Sequence, residues 1–477
     1  MKDRLRLLAT LGEFLASYRR LPRDIQRFFQ RVNQALDTEA RELEALRADE
    51  LVASYRALER QLITHWDAPL VNDLFAMLFY GLLRMLAVKW CGDENGSLQN
   101  DLLTGEGGII SAEPARCVRK MAELAAPHPA LVESLCNASQ LTIQQALTTL
   151  PELASAYQSY LDTFADRCLE ELKLESATLH DDPMPLLRSI GHLARRLQDG
   201  STEQAHGSAP RRQAELRVSD ELRGYPMRRM IFGWVLQQAR ARVRDRENLR
   251  FERTRVFGRV RRIFRELGKR FYALDLLEEP RDIFYLEIEE VLGFVTGTAT
   301  TTDLKSLINL RKAEYTRFQT LPAPADRFET RGMVNHGHAF AGSTRPEQKD
   351  GEAHQGIGCC PGIVRGPVRI IIDPQQVEIR AGEILVAQRT DPGWIMLFPA
   401  AAGVLVERGS LLSHSAIVAR EMGIPTIIAL SNATGWLHDG DWVEMNGSSG
   451  LVSKLAFSAK DDKETKEEKC VKEEEHG

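Results

Sequence analysis

A histidine that follows a glycine turn is the residue of this chain best placed for covalent chemistry. His414 comes after the apolar run at residues 401–406, which predicts a buried strand, and opens a predicted helix. That helix is predicted from residues on one face and from a glycine and a proline that end it: Ile417, Val418 and Met422, then Gly423 and Pro425. The first turn of a helix favours an anion, so the position suits a phosphorylated imidazole, and a surface histidine that caps the helix is the alternative.

The stretch around His414 resembles the phosphohistidine motif in the swivelling domain of phosphoenolpyruvate synthases, pyruvate phosphate dikinases and rifampin phosphotransferases. The resemblance extends over the segments 358–370, 390–394 and 440–452. In that family the histidine at this position accepts a phosphoryl group and passes it on, and a free imidazole is a competent nucleophile at neutral pH. The resemblance makes four further positions candidate cofactor-binding residues for the phosphoryl group: Gly409, Ser410, Ser413 and Arg420. Arg420 is equally compatible with a cation on the helix surface.

The part of the chain that precedes this domain is predicted to be helical. Apolar residues recur every three or four positions through residues 1–200, which we interpret as the first part of an acceptor-like domain. Segments 100–105 and 164–176 resemble the acceptor-binding region of rifampin phosphotransferases. Glu171, Lys173 and Glu175 could line a substrate cleft there, although charges that alternate at a helix end more commonly form a solvated face.

Residues 201–318 are interpreted as a basic helical continuation of that domain. Positions 211–270 hold nineteen Lys and Arg against seven Asp and Glu, whereas the whole chain has a net charge of −5. Arg246 and Arg250 lie four apart on one predicted helix face. The pair resembles a basic motif in the family's acceptor domain, so we name both as catalytic candidates beside His414. A nucleic-acid partner is not expected, because no recognised nucleic-acid module surrounds the basic segment.

The remaining segments are predicted to be connections, apart from one apolar helix. Residues 198–213 are predicted to form a loop or hinge, residues 319–355 a flexible linker, and residues 458–477 a disordered charged tail. The linker precedes a swivelling domain at residues 356–457. The apolar stretch 74–90 contains Arg84 and Lys89 and is predicted to be a core helix, so no membrane partner is expected.

The seven cysteines are scattered and never lie two residues apart in a pair, which argues against disulfides and a zinc site. No metal site is therefore predicted in this chain. The N-terminus has no small-residue cleavage site, so a secretory signal is not expected. Together these features predict a cytoplasmic protein.

These patterns predict a multidomain protein with a mostly α-helical N-terminal body and a C-terminal α/β swivelling phosphohistidine domain. The resemblance implies a phosphotransferase of the dikinase type. The sequence shows neither the ATP-grasp domain nor the phosphoenolpyruvate barrel of the family, so we expect a separate ATP-grasp protein, which binds ATP and Mg²⁺, to charge His414. A small-molecule acceptor would then receive the phosphoryl group. A non-catalytic phospho-carrier or regulator and an inert helical ligand-binding protein remain open alternatives.

Overall fold

The computed structural model describes most of the chain in two parts, a helical body and a smaller domain built on a sheet. The described residues are 2–37, 40–94, 96–105, 107–168, 170–198, 209–321, 328–329, 341–342, 353–372, 379–380 and 382–455. We call the described residues up to 321 the helical body and residues 353–455 the carrier domain. This arrangement confirms the predicted fold class.

The helical body packs its helices around two apolar cores. One core gathers residues from both ends of the body, and the other lies within residues 118–194 and takes in Phe251. The helices are α1 Lys2–Ala35, α2 Ala40–Ala45, α3 Ala48–Leu58, α4 Asp67–Cys91, α5 Ser97–Leu102, α6 Glu113–Ala125, α7 Pro129–Asn137, α8 Gln140–Leu147, α9 Pro151–Phe164, α10 Met184–Gln198, α11 Ala209–Glu221, α12 Pro226–Ala273, α13 Ile288–Thr296 and α14 Leu304–Gln319. A short 3₁₀ helix, Ile110–Ala112, precedes α6.

Helix α12 is the axis of the body, and it accounts for most of the basic segment. Its 48 residues would span about 72 Å at 1.5 Å per residue. Several of its arginines are buried and donate to backbone carbonyls of neighbouring segments. Arg259 donates to the carbonyl of Leu36, and Arg261 donates to that of Leu174. Much of the positive charge therefore satisfies backbone acceptors within the fold.

Helix α4 contributes to the core of the body, as predicted, and also has an exposed apolar face. One face packs inside the body through residues such as Phe75 and Leu83. The opposite face leaves large apolar side chains exposed, among them Leu70, Leu74, Met77, Leu78 and Met85. The stretch Ala48–Cys91 is long and apolar enough to cross a membrane by length and composition, with 39% of its most apolar window buried. The prediction of a core helix therefore holds for one face of α4, and the exposed apolar face was not predicted.

The carrier domain is an eight-stranded mixed sheet with short helices. Its strand order is β3-β10-β9-β5-β6-β7-β8-β4, and β5 to β8 are parallel to one another. The strands are β3 Ala353–Gln355, β4 Ile357–Cys360, β5 Ile363–Ile370, β6 Ile384–Ala387, β7 Gly403–Val406, β8 Thr426–Ile428, β9 Trp442–Asn446 and β10 Leu451–Lys454, and a separate pair is β1 Phe328–Glu329 with β2 Ala341–Gly342. Strands β6 and β7 are buried along their whole length, as expected for strands covered on both faces.

The loop after β7 delivers His414 to the start of a helix, as the sequence predicts. Helix α15 runs from His414 to Met422, and the short helix α16 spans Ala433–Trp436. Ser413 caps α15, because its hydroxyl accepts a hydrogen bond from the Ala416 amide at 3.4 Å. Gly423 ends α15 with a φ of +71°, a left-handed conformation that favours glycine.

The structure changes two of the predicted boundaries. Helix α11 begins at Ala209, so residues 209–213 of the predicted hinge are helical. Residues 353–355 form β3, which pairs with β10, so the sheet takes in the carboxyl end of the predicted linker. Polar sequence misled both predictions, because a helix with charged residues and an edge strand carry few apolar side chains. The predicted tail, 458–477, lies outside the described residues.

Candidate functional site

The helical body and the carrier domain meet at a pocket of about 470 Å³ that holds His414. We call it the interdomain pocket. Helix α12 forms one wall, the segment after α9 forms a second, and loops of the carrier domain form the third. Its lining residues are Ser111, Arg167, Glu171, Arg246, Arg250, Phe251, Arg253, Thr254, Thr390, Asp391, Pro392, Gly409, Ser410, Leu412, Ser413 and His414.

A carboxylate of the body holds the imidazole of the carrier. The Nδ1 atom of His414 lies 2.7 Å from Oε2 of Glu247, a hydrogen-bonding distance. Glu247 is 0% exposed, and its Oε2 also accepts from the Ser111 hydroxyl at 3.2 Å. Nε2 of His414 is buried and has no hydrogen-bond partner among the described residues. The contact therefore occupies Nδ1 and leaves Nε2 as the ring nitrogen without a hydrogen bond among the described residues.

The charge on Glu247 fixes which ring nitrogen carries the proton. Burial raises the pKa of this carboxyl, but the charge of His414, its hydrogen bond and the nearby Arg250 and Arg246 outweigh burial and lower the pKa to about 2. Glu247 is thus ionised at neutral pH and accepts a hydrogen bond. When the imidazole is neutral, its hydrogen bond to this carboxylate requires the proton on Nδ1, and Nε2 is then the nucleophilic atom.

Three arginines of α12 line the pocket on the side of Glu247. Arg246 donates through Nη1 to the carbonyl of Leu412 at 2.8 Å and to Oε1 of Glu247 at 3.2 Å. Arg250 makes no hydrogen bond or ion pair with the part of the chain that the structure describes. Burial, and then the charge of Arg250, lowers the pKa of both Arg246 and Arg253. Because the cations of this cluster destabilise one another, binding of an anion such as a phosphoryl group would stabilise it.

The structure brings most of the sequence-predicted site residues together in this pocket. Gly409, Ser410 and Ser413 line it beside His414, as do Arg246 and Arg250.

Arg420 lies outside the lining, and its side chain is buried. Its guanidinium donates to the carbonyls of Ala416 and Leu411 and to the side chain of Asn100 in the body. Those bonds give it a role in shaping the carrier loop and in docking. They leave it out of the pocket's chemistry.

Polar contacts hold the carrier domain against the body around the pocket. Body side chains donate to carrier backbone carbonyls: Asn100 to Gly358 at 3.0 Å, and Arg196 to Ala400 at 2.8 Å. In the other direction, Asp391 of the carrier accepts from the backbone amide of Glu170 at 2.8 Å. Apolar contacts also join the two parts: Ile109 and Val243 of the body cluster with Ile417, and Ala115 of the body belongs to the apolar core of the carrier domain. An interface that includes polar contacts of this kind is compatible with a domain that docks and leaves.

Sequence reasoning missed several residues of the pocket. The candidates named from the sequence did not include Glu247, Ser111, Arg167 or Asp391. Glu171 was expected on a solvated face, yet it is 5% exposed and lines the pocket, in an irregular segment after α9. A signal for Glu247 was present, since it directly follows Arg246 inside the basic stretch. The burial of Glu171 has no such signal, because it depends on how α12 packs.

Comparison with known proteins covers pocket residues of both the body and the carrier domain. Residues 379–450 match the family model of the PEP-utilising enzyme mobile domain, and residues 69–247 match that of the rifampicin phosphotransferase fourth domain. His414 and Asp391 fall in the first match, and Arg167, Glu171 and Glu247 fall in the second. The pocket therefore lies where the two matched domains meet.

Full-length relatives match over most of this chain. A rifampicin phosphotransferase of Streptomyces sviceus is 27% identical over 376 residues, which is 77% of this chain and 42% of that protein. An uncharacterized protein of Mycobacterium tuberculosis is 27% identical over 468 residues, 96% of this chain and 49% of that protein. The prodigiosin synthesizing transferase of Serratia marcescens is 26% identical over 396 residues, 80% of this chain and 43% of that protein.

This chain spans less than half the length of each of these relatives. Its helical body carries the match to the rifampicin phosphotransferase fourth domain, and its carrier domain carries the match to the mobile domain. These matches make the chain similar to rifampicin phosphotransferases over parts of both its helical body and its carrier domain.

Proposed function

We propose that the interdomain pocket is the place where a phosphoryl group leaves His414 for a small-molecule acceptor. The observation that carries the proposal is the 2.7 Å contact between Nδ1 of His414 and Glu247, which leaves Nε2 without a partner beside a cluster of arginines. The contact joins a residue of the carrier domain to a residue of the body. The family match supports a phosphotransferase, and the docked geometry supports transfer at this site.

In the proposed transfer step, the phosphoryl group is bonded to Nε2 and the proton stays on Nδ1. The phosphorylated ring is then a cation, which the ionised carboxylate of Glu247 stabilises. When an acceptor oxygen attacks phosphorus, the N–P bond breaks and its electron pair returns to Nε2. The leaving group is a neutral imidazole with its proton on Nδ1. Arg250 and Arg253 stabilise the charge on the phosphoryl oxygens during transfer.

In this proposal a separate ATP-grasp protein, which binds ATP and Mg²⁺, phosphorylates His414. Among the described residues, no group of three or more His, Cys, Asp or Glu side chains is placed to hold a metal ion. The interface, with its polar contacts, would let the carrier domain leave the body and reach that partner in the cytoplasm. A dikinase-type reaction would then divide its two half-reactions between two sites.

Reconstitution with an ATP-grasp protein and Mg-ATP labelled at the β-phosphate tests this function. We expect label on His414 in an acid-labile form, and no label in His414→Ala. AMP formation together with a modified small molecule supports the phosphotransferase. Phosphohistidine that no acceptor discharges supports a phospho-carrier or regulator instead. Absence of label from the wild-type chain supports an inert ligand-binding protein.

A further inference from the structure

Buried polar atoms without partners gather in the interdomain pocket. Within the described residues, Nε and Nη1 of Arg167 and Oε1 of Glu171 are buried and make no hydrogen bond. The two residues are 6% and 5% exposed. An unpaired buried donor or acceptor destabilises the folded state, because it has lost its hydrogen bonds to water. Two donor atoms and one acceptor atom without hydrogen bonds in one pocket wall point to a ligand that supplies the missing bonds.

The spacing of these atoms fits a single oxygen. Nη1 of Arg167 lies 4.0 Å from Oε1 of Glu171, which is too far for a direct hydrogen bond. An oxygen about 2.8 Å from each atom would form an angle of about 90° between them. That oxygen must accept from the guanidinium and donate to the carboxylate. A hydroxyl group does both, whereas a phosphoryl oxygen or a carbonyl can only accept.

The gap is held open by bonds to other atoms of the same two residues. Oε2 of Glu171 accepts from the Thr254 hydroxyl at 2.8 Å, and the Glu171 carbonyl accepts from Arg261 at 3.2 Å. Nη2 of Arg167 donates to the Ser111 hydroxyl at 3.3 Å, and the guanidinium lies over the ring of Phe251 at 5.1 Å. Both sides of the gap are therefore positioned before a ligand enters.

A continuous series of contacts connects this gap to His414. Ser111 accepts from Arg167 and donates to the Oε2 atom of Glu247 that holds Nδ1 of His414. The gap and the phosphorylation site thus share one network. This network links the position of Arg167 to the position of the imidazole.

We propose that the gap between Arg167 and Glu171 binds the hydroxyl group of the acceptor and that Glu171 removes its proton. This inference rests on the proposed function. Arg167 donates to the hydroxyl oxygen and orients it. As that oxygen forms its bond to phosphorus, its proton passes to Oε1 of Glu171. The bond from phosphorus to Nε2 breaks, and its electron pair stays on the imidazole. The products are a phosphate monoester, a neutral imidazole and a protonated Glu171.

The test uses the full chain, charged without a partner protein. Potassium phosphoramidate phosphorylates histidine, and after its removal the loss of phosphohistidine is followed by ³¹P NMR. Ethanol and 2,2,2-trifluoroethanol serve as probe acceptors, since both are small and they differ mainly in the acidity of the hydroxyl. The variants are Glu171→Gln and Glu171→Asp. The control is Glu175→Gln, an exposed carboxylate in the same segment.

A general base typically contributes about 10²- to 10⁴-fold, so Glu171→Gln should slow transfer to ethanol by about that factor. The loss should be much smaller with trifluoroethanol, because a more acidic hydroxyl needs less help from a base. Glu171→Asp should restore part of the ethanol rate, and Glu175→Gln should behave as wild type. A purely structural role for Glu171 would lower both rates equally.

Equal losses for the two alcohols, or a wild-type rate in Glu171→Gln, would overturn the assignment of Glu171 as the base. The second result would mean that the gap holds a bridging water only. Failure of phosphoramidate to label His414 in the wild-type chain would instead count against the proposed function itself. The two failures are therefore distinguishable.

Discussion

Replacing Glu247 by glutamine tests the contact on which the proposed transfer depends. The change keeps the size of the side chain and removes its charge. Glu247 is fully buried, so little else can compensate for the lost carboxylate. An amide also offers an N–H donor to Nδ1 of His414, which would place the ring proton on Nε2, where the phosphoryl group must bind.

The structure sets the expected magnitude. The pKa of Glu247 is lowered from 4.5 to about 2 although burial raises it. A shift of that size corresponds to about 3 kcal/mol in favour of the ionised form. His414 supplies the largest favourable part, and two arginines supply the rest. We therefore expect Glu247→Gln to slow discharge of phospho-His414 by about 10- to 100-fold.

The assay measures charging and discharge separately in single turnovers. Charging by the proposed ATP-grasp partner should stay within about twofold of wild type, since Glu247 belongs to the body and not to the carrier. The matched control is Glu252→Gln. It changes a buried carboxylate on the same helix that pairs with Arg255 and does not line the pocket. Equal discharge rates for the Glu247 and Glu252 variants would refute the reasoning, and so would a loss confined to charging.

Four further outcomes are expected. Arg250→Ala should leave charging intact and slow discharge by about 10²- to 10³-fold, the scale seen when one charge-stabilising donor is lost. Arg246→Ala should also weaken docking, because Arg246 donates a hydrogen bond to the carrier backbone. Small-angle scattering would show this as a more extended chain. Arg420→Met should loosen docking in the same scattering measurement, since it removes the bond to Asn100; unchanged scattering would contradict this. Burial, and then the charge of Asp93, raises the pKa of Asp101 to about 6. Ionisation of Asp101 therefore lowers the stability of the fold as the pH rises from about 4 to about 6. In thermal unfolding, Asp101→Asn should be about 1 kcal/mol more stable than wild type at pH 7.5 and equally stable at pH 4.

The sequence was sufficient to predict the local structure around His414. A buried strand, a glycine turn and a capped nine-residue helix are all set by neighbouring residues, and the structure has them. Arg246 and Arg250 were predictable as a pair because a helix places residues four apart on one face. Such features depend on short-range geometry, which sequence records directly.

The partners of these residues were not predictable, because they come together only through packing of distant segments. Glu247 and His414 are 167 positions apart, and no spacing rule relates them. Glu171 and Arg167 sit in an irregular segment whose burial depends on α12. The exposed face of α4 was not predictable either, since an apolar composition does not say how many sides of a helix the fold covers.

The bonds that dock the carrier domain tolerate changes in its amino-acid sequence. Asn100, Arg196 and Arg246 donate to carrier carbonyls, and every amino acid supplies that acceptor. Substitutions on the docking surface of the carrier can therefore accumulate without deleting these bonds, provided that the backbone keeps its path. A carrier domain grafted from a relative about one quarter identical should still seat on this body. Exchange of carriers between acceptor bodies would then be a mechanically simple route to new pairings of phosphoryl donor and acceptor.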